Sequence, residues 1–358
     1  MIRFAWRQFR VQAAVAVGAL LVIAVVLAIT GPYLVSVYDA SVATCRANRG
    51  SSATCMNGVA NTYHFLQGAL DALVLVVPAL IGIFWGAPLV AREFEAGTFR
   101  LAWTQSVTRS RWLATKFGVI GLSSMAIAGL LSLMITWWNS PVDSVNANRF
   151  SPATFALRGL VPIGYAAFAL AFGVAAGLLI RRTLPAMVAT LVGFVFVRIG
   201  TTYWVRPHLF APMHEASAIT SSSVVGYGST GTIFFGSGPS TVQLAAPNIP
   251  NAWIYSTQIV DGAGHVAGPQ LVSSICPFLG HGGPGGRGGG AGHTEAPASA
   301  VQGLQECGAR LGTKFHELLT YQPASRYWAF QWSELAIFLA VALIVFCYCV
   351  WRVRRRPA

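Results

Sequence analysis

A polar stretch at residues 92–112 carries the residues whose types and spacing best suit them to binding another molecule. Two acids come first, Glu93 and Glu95. They stand two residues apart and so diverge by about 200° around a helix. Phe99 and Trp103 stand four residues apart, which places both on one face of a short helix. The pattern predicts a charged surface with two apolar anchors, on which only one of the two acids faces a given partner.

The rest of the chain shows no pattern typical of catalysis, nucleotide binding or metal binding. The 11 acidic residues are scattered, with no paired carboxylate or nucleophile elbow. The glycine tract at 281–293 lacks the Gly-x-x-x-x-Gly-Lys-Ser/Thr pattern of a phosphate-binding loop. A metal site is the weaker interpretation of the histidines, which show no pair at a recognised ligand spacing; they are His208, His214 beside Glu215, His281 and His293. We therefore expect no enzyme activity, and no metal or cofactor in this chain.

The composition indicates that these residues are positioned by a membrane-embedded chain. Hydrophobic residues make up 54% of the sequence and charged residues 10%, whereas roughly a quarter of an ordinary soluble domain is charged. Six apolar runs approach the length of about 20 residues that crosses a bilayer; they are 13–36, 70–91, 113–138, 160–180, 184–204 and 332–351. The sequence predicts an all-α polytopic membrane protein with six transmembrane helices.

The distribution of basic residues predicts the orientation of the chain in the cell membrane. Fourteen basic residues fall on the side that holds both termini and the 92–112 stretch, against four in the two short opposite loops. By the positive-inside rule, both termini are cytoplasmic. The net charge of +13 therefore reflects topology, and nucleic acid is not an expected partner.

Two terminal segments flank the spans. Residues 1–12 place basic and aromatic residues on neighbouring stripes, which favours an amphipathic cytoplasmic helix in the headgroup plane of the lipid bilayer, or else a plain flank of the first span. Residues 352–358 form a basic cytoplasmic tail. Residues 13–204 thus hold the first five helices, and residues 332–351 the sixth.

Residues 205–331 are predicted to form an external domain between helices 5 and 6. A glycine-rich insertion at 280–299 cannot bury enough apolar surface to fold, whereas apolar patches on either side of it can be ordered. We therefore expect a partly ordered domain.

Four cysteines fall in the two predicted external segments, about 37–69 and 205–331. Cys45 and Cys55 share the first segment, while Cys276 and Cys307 flank the glycine tract in the second. Even numbers on an oxidising side favour the disulfides Cys45–Cys55 and Cys276–Cys307. Free thiols or crossed pairing are the alternatives.

Three charged residues lie within about two turns of the predicted external face: Asp71, Arg198 and Glu334. Charges at membrane depth are costly unless they are paired. One interpretation is simple pairing, of Arg198 with Glu334 or with Asp71. The other is an external gate, in which the three residues form a latch that closes the exit of a transport path.

The 92–112 stretch resembles the signature loop of type-2 ABC transporter permeases. The matching residues are Glu95-x-Gly97-Thr98, a short amphipathic run, and Thr104-x-x-x-Thr108-Arg109. In that family this cytoplasmic loop docks on a separate ATPase subunit. The resemblance implies a coupling set of Glu93, Glu95, Gly97, Thr98, Phe99, Arg100, Trp103, Thr104, Thr108 and Arg109.

The function implied by this resemblance is that of a permease subunit in an ATP-driven exporter. Such a subunit moves an amphipathic or hydrophobic substrate, such as a drug, a peptide or a lipid-like molecule, out of the cell. It pairs with a second permease copy and with ABC ATPase subunits that bind the ATP and Mg²⁺. The alternative is a membrane-anchored sensor or assembly factor whose external domain binds a ligand without transport.

Overall fold

The computed structural model describes residues 2–47, 52–97, 109–146, 149–219, 234–235, 242–243, 249, 251–267, 274–275, 306 and 308–355. The helices in this part of the chain are α1 (Ile2–Ala47), α2 (Ser52–Leu80), α3 (Ala87–Glu95), α4 (Arg109–Asn146), α5 (Pro152–Leu157), α6 (Val161–Ile180), α7 (Thr183–Gly200) and α8 (Tyr327–Arg355). A π-helix, Ile81–Gly86, joins α2 to α3, and a second, Thr201–Val205, extends α7. Short 3₁₀ turns follow at Arg206–His208 and Ala324–Arg326.

Six helical segments of the described residues are long and apolar enough to cross a membrane. We number them spans 1 to 6: Phe9–Ala40, Phe65–Glu95, Ser110–Pro141, Val161–Ile180, Thr183–His208 and Ala324–Arg355. The prediction of a six-helix polytopic membrane protein is thus confirmed.

The amino-terminal segment is helical and continuous with the first span. The helix α1 runs unbroken from Ile2 to Ala47, through the whole of span 1. The position of residues 1–12 in the headgroup plane stays a prediction.

Span 4 is the centre of the bundle, with 72% of its most apolar window buried. Small residues let it approach span 2 closely. A Cβ added at Gly173 would lie 2.5 Å from the Gly82 carbonyl oxygen, and one added at Gly177 would lie 2.5 Å from that of Ala87. Backbone contact of this kind between membrane helices requires small residues. Spans 2 and 4 therefore pack as one closely fitted pair.

A small sheet follows span 5. Its strands are β1 (Met213–Ala218), β4 (Trp253–Asp261) and β5 (Phe315–Gln322), antiparallel in the order β1-β5-β4, and a separate pair joins β2 (Phe234–Phe235) to β3 (Val242–Gln243). Met213 stands opposite Tyr321, and Asp261 opposite Phe315. The prediction of a partly ordered domain between spans 5 and 6 is confirmed. The glycine-rich insertion at 280–299 lies outside the described residues.

The sheet is attached to the start of span 6 by side-chain hydrogen bonds to the backbone that follows span 5. Gln322, the last residue of β5, donates from Nε2 to the Phe210 carbonyl at 2.8 Å. Arg326 donates to the Ala211 carbonyl at 2.6 Å and to the Gln322 side chain at 2.7 Å. The segment that follows span 5 and the segment that precedes span 6 therefore lie next to each other. We call this end of the bundle the sheet end, and the end that holds residues 92–97 the loop end.

Candidate functional site

At the loop end, three consecutive residues of span 2 each contact a different part of the chain. Glu93 forms an ion pair with Lys116 of span 3. Lys116 is buried, and its ammonium lies 4.8 Å from the centre of the Trp112 ring. The Arg181 guanidinium lies over the Phe94 ring, 5.4 Å from the centre of that ring. Arg181 belongs to the two-residue turn between spans 4 and 5, so Glu93 and Phe94 contact different parts of the chain.

Glu95 contacts a third element, the start of span 5. Its Oε1 accepts a hydrogen bond from the Thr183 backbone N–H at 2.9 Å, and its Oε2 accepts one from the Thr183 hydroxyl at 2.5 Å. The first amides of a helix have no partner within the helix and favour a negative charge. The Glu95 carboxylate therefore caps α7 and connects the end of span 2 to it.

The divergence of Glu93 and Glu95 predicted from their spacing agrees with these contacts, because the two acids reach different elements. Glu95, expected to contact the ATPase, has both oxygens bonded within the chain. Gly97, two residues after the end of span 2, has a φ of +68°, the left-handed conformation that a glycine adopts at little cost. Arg109 begins α4. The other predicted coupling residues lie outside the described part of the chain: Thr98, Phe99, Arg100, Trp103, Thr104 and Thr108.

At the sheet end, a buried carboxylate ties span 6 to spans 4 and 5. Arg206 donates from Nε to Glu334 Oε2 at 2.9 Å and from Nη2 to Oε1 at 3.1 Å. The Tyr165 hydroxyl donates to the same Oε1 at 2.6 Å. The Arg206 guanidinium also lies 4.3 Å from the centre of the Phe155 ring. Glu334 therefore has its charge matched and both oxygens bonded.

A second ion network at the sheet end joins span 2 to the polypeptide around span 3. Arg158, which is 3% exposed, donates to Asp71 at 2.5 Å and to Asp143 at 3.1 Å. Asp143 lies just beyond span 3 in α4. Burial raises the pKa of the Asp143 carboxyl, and this effect outweighs the nearby Arg158 charge. Arg158 thus forms ion pairs with two acids, and the Asp143 carboxyl ionises less readily than an ordinary aspartate.

Gln331 of span 6 closes the sheet end around the start of span 4. Its Oε1 accepts hydrogen bonds from the Leu160 amide at 3.0 Å and the Val161 amide at 3.2 Å, so it caps α6. Its Nε2 donates to the Phe155 carbonyl at 3.2 Å. Gly159 has a φ of +69°, and a Cβ there would meet Gln331 Oε1 at 2.9 Å. The glycine is thus required both for its conformation and for its space.

The three predicted gate residues do not meet in one latch. The structure pairs Asp71 with Arg158 and Glu334 with Arg206, whereas Arg198 donates to the Leu75 carbonyl at 3.2 Å. The expected pairing of Arg198 with Glu334 or Asp71 is thus wrong. The Arg198 guanidinium instead lies 4.8 Å from the centre of the Tyr165 ring, because Arg206 occupies the Glu334 carboxylate.

Sequence reasoning missed the partners that complete these networks: Arg158, Arg206, Tyr165, Asp143, Lys116 and Gln331. A usable signal existed for the two arginines. Arg158 stands just before the fourth apolar run and Arg206 just after the fifth, on the side opposite the predicted position of the termini. The positive-inside rule does not account for an arginine there, and each pairs with an acid of a neighbouring span.

The predicted disulfides fall outside what the structure describes. Cys45 and Cys55 lie on α1 and α2 without described side chains, and Cys276 and Cys307 are not among the described residues. Among the described histidines, His208 bonds the Trp204 carbonyl at 2.7 Å and His214 bonds the Thr320 hydroxyl at 3.1 Å. The described residues contain no group of three or more metal-ligating side chains. His281 and His293 lie outside them.

Comparison with known families covers the first five spans. A family model described as ABC-2 membrane transporter related matches residues 17–206, from within span 1 to the last residues of span 5. The match includes Glu93, Glu95 and Arg206, and stops before the sheet and span 6. Comparisons with curated proteins and with solved structures give no significant match.

Proposed function

The chain belongs to the ABC-2 membrane transporter related family and is an ABC-2 type permease, and from this premise we propose that it is the membrane-spanning subunit of an ATP-driven exporter. The proposed substrate is amphipathic or hydrophobic. ATP and Mg²⁺ bind a separate ABC ATPase subunit, on which residues 92–112 dock from the cytoplasm. Both termini of the permease lie on that same side.

The observation that carries this proposal is the set of contacts made by Glu93, Phe94 and Glu95. These residues end span 2 where the proposed coupling loop begins, and they reach span 3, the turn before span 5, and span 5 itself. A displacement of the loop by the ATPase is therefore passed to at least three helices at once. A permease without an active site can act in this way, because the ATPase biases two arrangements of the same helices.

The exposed apolar surface of the described helices supports pairing with a second permease copy. The most apolar windows of spans 1 and 5 are only 11% and 17% buried, against 72% for span 4. Spans 1 and 5 therefore present broad faces to lipid or to a partner. We propose that two copies pair through part of this surface around a shared path.

Co-purification with the ATPase tests the proposal. We would co-express the chain with an ABC ATPase subunit and substitute Phe99→Ala, because a buried aromatic anchor contributes much of the binding energy of such an interface. The expected result is at least a tenfold weaker recovery of ATPase, or about 1.4 kcal/mol, with normal membrane insertion. Phe65→Ala is the matched control, because Phe65 is an exposed aromatic at the opposite end of span 2.

The alternative function predicts a different outcome for the same experiment. A sensor or assembly factor would use the partly ordered domain between spans 5 and 6 and would not need the 92–112 loop to bind an ATPase. Equal recovery of ATPase with wild type and Phe99→Ala, together with unchanged export, would therefore contradict the permease proposal.

A further inference from the structure

A cleft of about 290 Å³ lies at the loop end, between the parts of spans 1, 2 and 3 that meet there. Its walls include the aromatic side chains of Phe9, Phe84 and Trp85. Its polar lining includes Arg92, Glu93 and Lys116. One side of the cleft is thus apolar and the other charged.

The charged side of the cleft carries an excess of positive charge. Lys116 and Glu93 form an ion pair with each other, so their charges balance. Arg92 is exposed at the cleft and forms no ion pair within the described residues. The three side chains together present a net charge of about +1 at neutral pH. This charge is complementary to a single anionic group.

The apolar side of the cleft is shaped by the π-helix in span 2. Phe84 and Trp85 lie within Ile81–Gly86. On its other face this segment packs directly on span 4, since a Cβ at Gly82 would lie 2.7 Å from the Ala169 carbonyl oxygen. This segment therefore lies between span 4 and the cleft. Isolated π turns of this kind are frequent at functional sites.

Two of the three aromatic side chains of the cleft contact each other, and the third is exposed. The Phe9 and Trp85 rings meet edge to face with centres 4.8 Å apart, which joins spans 1 and 2. Phe84 is 54% exposed. An apolar chain that enters from the side can therefore lie along Phe84 and Trp85, while a charged group at its end reaches Arg92.

We propose that this cleft binds one anionic phospholipid, with its phosphate against Arg92 and the start of an acyl chain along Phe84 and Trp85. A phosphodiester carries the single negative charge that the lining complements. The volume suits a headgroup with a few methylenes, being at the lower limit of ligand pockets. The orientation proposed above implies that the lipid comes from the cytoplasmic leaflet. The choice of an anionic phospholipid rests on the lining of the cleft alone.

Quenching of tryptophan fluorescence by brominated lipids tests the proposal. The purified permease, without any ATPase, is placed in phosphatidylcholine vesicles with a small fraction of either dibrominated phosphatidylglycerol or dibrominated phosphatidylcholine. Brominated phosphatidylglycerol is expected to quench more strongly at equal fraction. The excess should disappear in Trp85→Phe, which assigns it to the cleft among the 11 tryptophans.

Charge variants then test whether the phosphate is recognised. Arg92→Gln should lower the preference for phosphatidylglycerol by about fivefold, the effect of about one basic residue near a membrane surface. Arg111→Gln is the matched control, because Arg111 is an exposed arginine at the same end of the bundle outside the cleft lining. It should leave the excess quenching of Trp85 unchanged.

Three outcomes would overturn the proposal. Equal quenching by the two brominated lipids would show that binding does not depend on the charge of the headgroup. Equal effects of Arg92→Gln and Arg111→Gln would show only a general attraction of anionic lipid to the basic surface. Protection of Trp85 from both lipids would show that a protein surface, such as a second permease copy, covers the cleft. The measurement needs neither ATPase nor transport, so its failure and that of the exporter proposal are distinguishable.

Discussion

The Glu334 contacts at the sheet end of the bundle are buried, whereas the Glu95 contact at the loop end is exposed. At the sheet end, Glu334 is 0% exposed and Arg206 1% exposed, and the carboxylate accepts three hydrogen bonds. At the loop end, Glu95 is exposed and bonds a single residue, Thr183. Removing one partner of a buried ion pair is strongly destabilising, whereas exposed polar contacts contribute little.

This difference indicates where a permease of this kind can move. The sheet end combines a matched buried charge with the Gln331 cap and close aromatic packing around Phe155 and Phe330. At the loop end, the exposed Glu95–Thr183 contact can be exchanged for others with a small change in free energy, although the Glu93–Lys116 pair beside it is largely buried. We therefore expect the sheet end to remain assembled while the loop end rearranges under the ATPase.

The largest expected effect comes from breaking the buried pair. Glu334→Leu leaves the Arg206 charge buried without its partner, which should lower the free energy of unfolding by about 3–5 kcal/mol. Thermal unfolding of the purified protein in detergent measures the loss. Glu306→Leu is the control, since the Glu306 side chain is 73% exposed and should change stability little.

A double variant separates charge from packing at this site. Arg206→Met combined with Glu334→Leu removes both charges and should recover much of the loss, because apolar replacement of a whole buried pair is often nearly neutral. If Glu334→Leu alone were as stable as wild type, the sheet end would not be the fixed part of the bundle.

The predicted disulfides would stabilise the segments between spans 1 and 2 and between spans 5 and 6. Closing the loop between Cys276 and Cys307, about 30 residues, contributes on the order of 3–4 kcal/mol through the unfolded chain. Mass spectrometry without reduction should find Cys45 linked to Cys55 and Cys276 linked to Cys307, and reduction should lower the melting temperature. Free thiols at these four positions in the native membrane would contradict the prediction.

The loop end should respond in function more than in stability. Glu95→Gln and Thr183→Val each weaken the same exposed contact, so each should change the free energy of unfolding little. Both should reduce export per ATP hydrolysed, because the link from loop to span 5 is loosened. The rate of dye efflux, compared with the rate of ATP hydrolysis in the same vesicles, measures this coupling.

The double variant and a matched threonine decide whether the contact itself matters. Glu95→Gln with Thr183→Val should be no worse than either single change, since both remove one interaction. Thr115→Val is the control, because the Thr115 hydroxyl bonds only the Arg111 carbonyl of its own helix among the described residues. Additive losses in the double variant would mean that Glu95 and Thr183 act separately.

Some features of the two ends of the bundle were predictable from sequence patterns, and others were not. The spans were predictable because a bilayer demands long apolar runs, and the left-handed Gly97 was predictable from its place after a helix. The divergence of Glu93 and Glu95 followed from helical spacing alone. Each of these properties depends on residues close together in the chain.

The partners of the charges were not predictable in this way. Glu334 meets Arg206 across 128 residues, and Arg158 meets Asp71 across 87. Several nearby charges competed for each partner, and the choice depends on how helices are rotated in the bundle. That rotation is decided by contacts such as Gly173 on Gly82, whose small residues have no charge signal.

The smallest expected effect is a pH dependence at the sheet end. Burial raises the pKa of Asp143 above its ordinary value of 3.8, so the folded protein binds a proton more readily there than the unfolded chain. The stability from this group is therefore fully present below about pH 3.8 and is lost as the pH rises through the folded pKa. Relative to Asp143→Asn, which does not titrate, wild type should become less stable as the pH rises from 4 to 7.

Asp261 provides a control of opposite sign in the same protein. Hydrogen bonds from the backbone amides of His265 and Ala263 lower the pKa of the exposed Asp261 carboxyl. Its contribution is present above the ordinary value of 3.8 and is lost as the pH falls through the folded pKa. Melting temperatures measured from pH 3 to pH 7 should therefore show that Asp261→Asn and Asp143→Asn differ from wild type with opposite slopes. Equal slopes would mean that Asp143 ionises as readily as a surface acid, and that the Arg158 network is more open than its burial indicates.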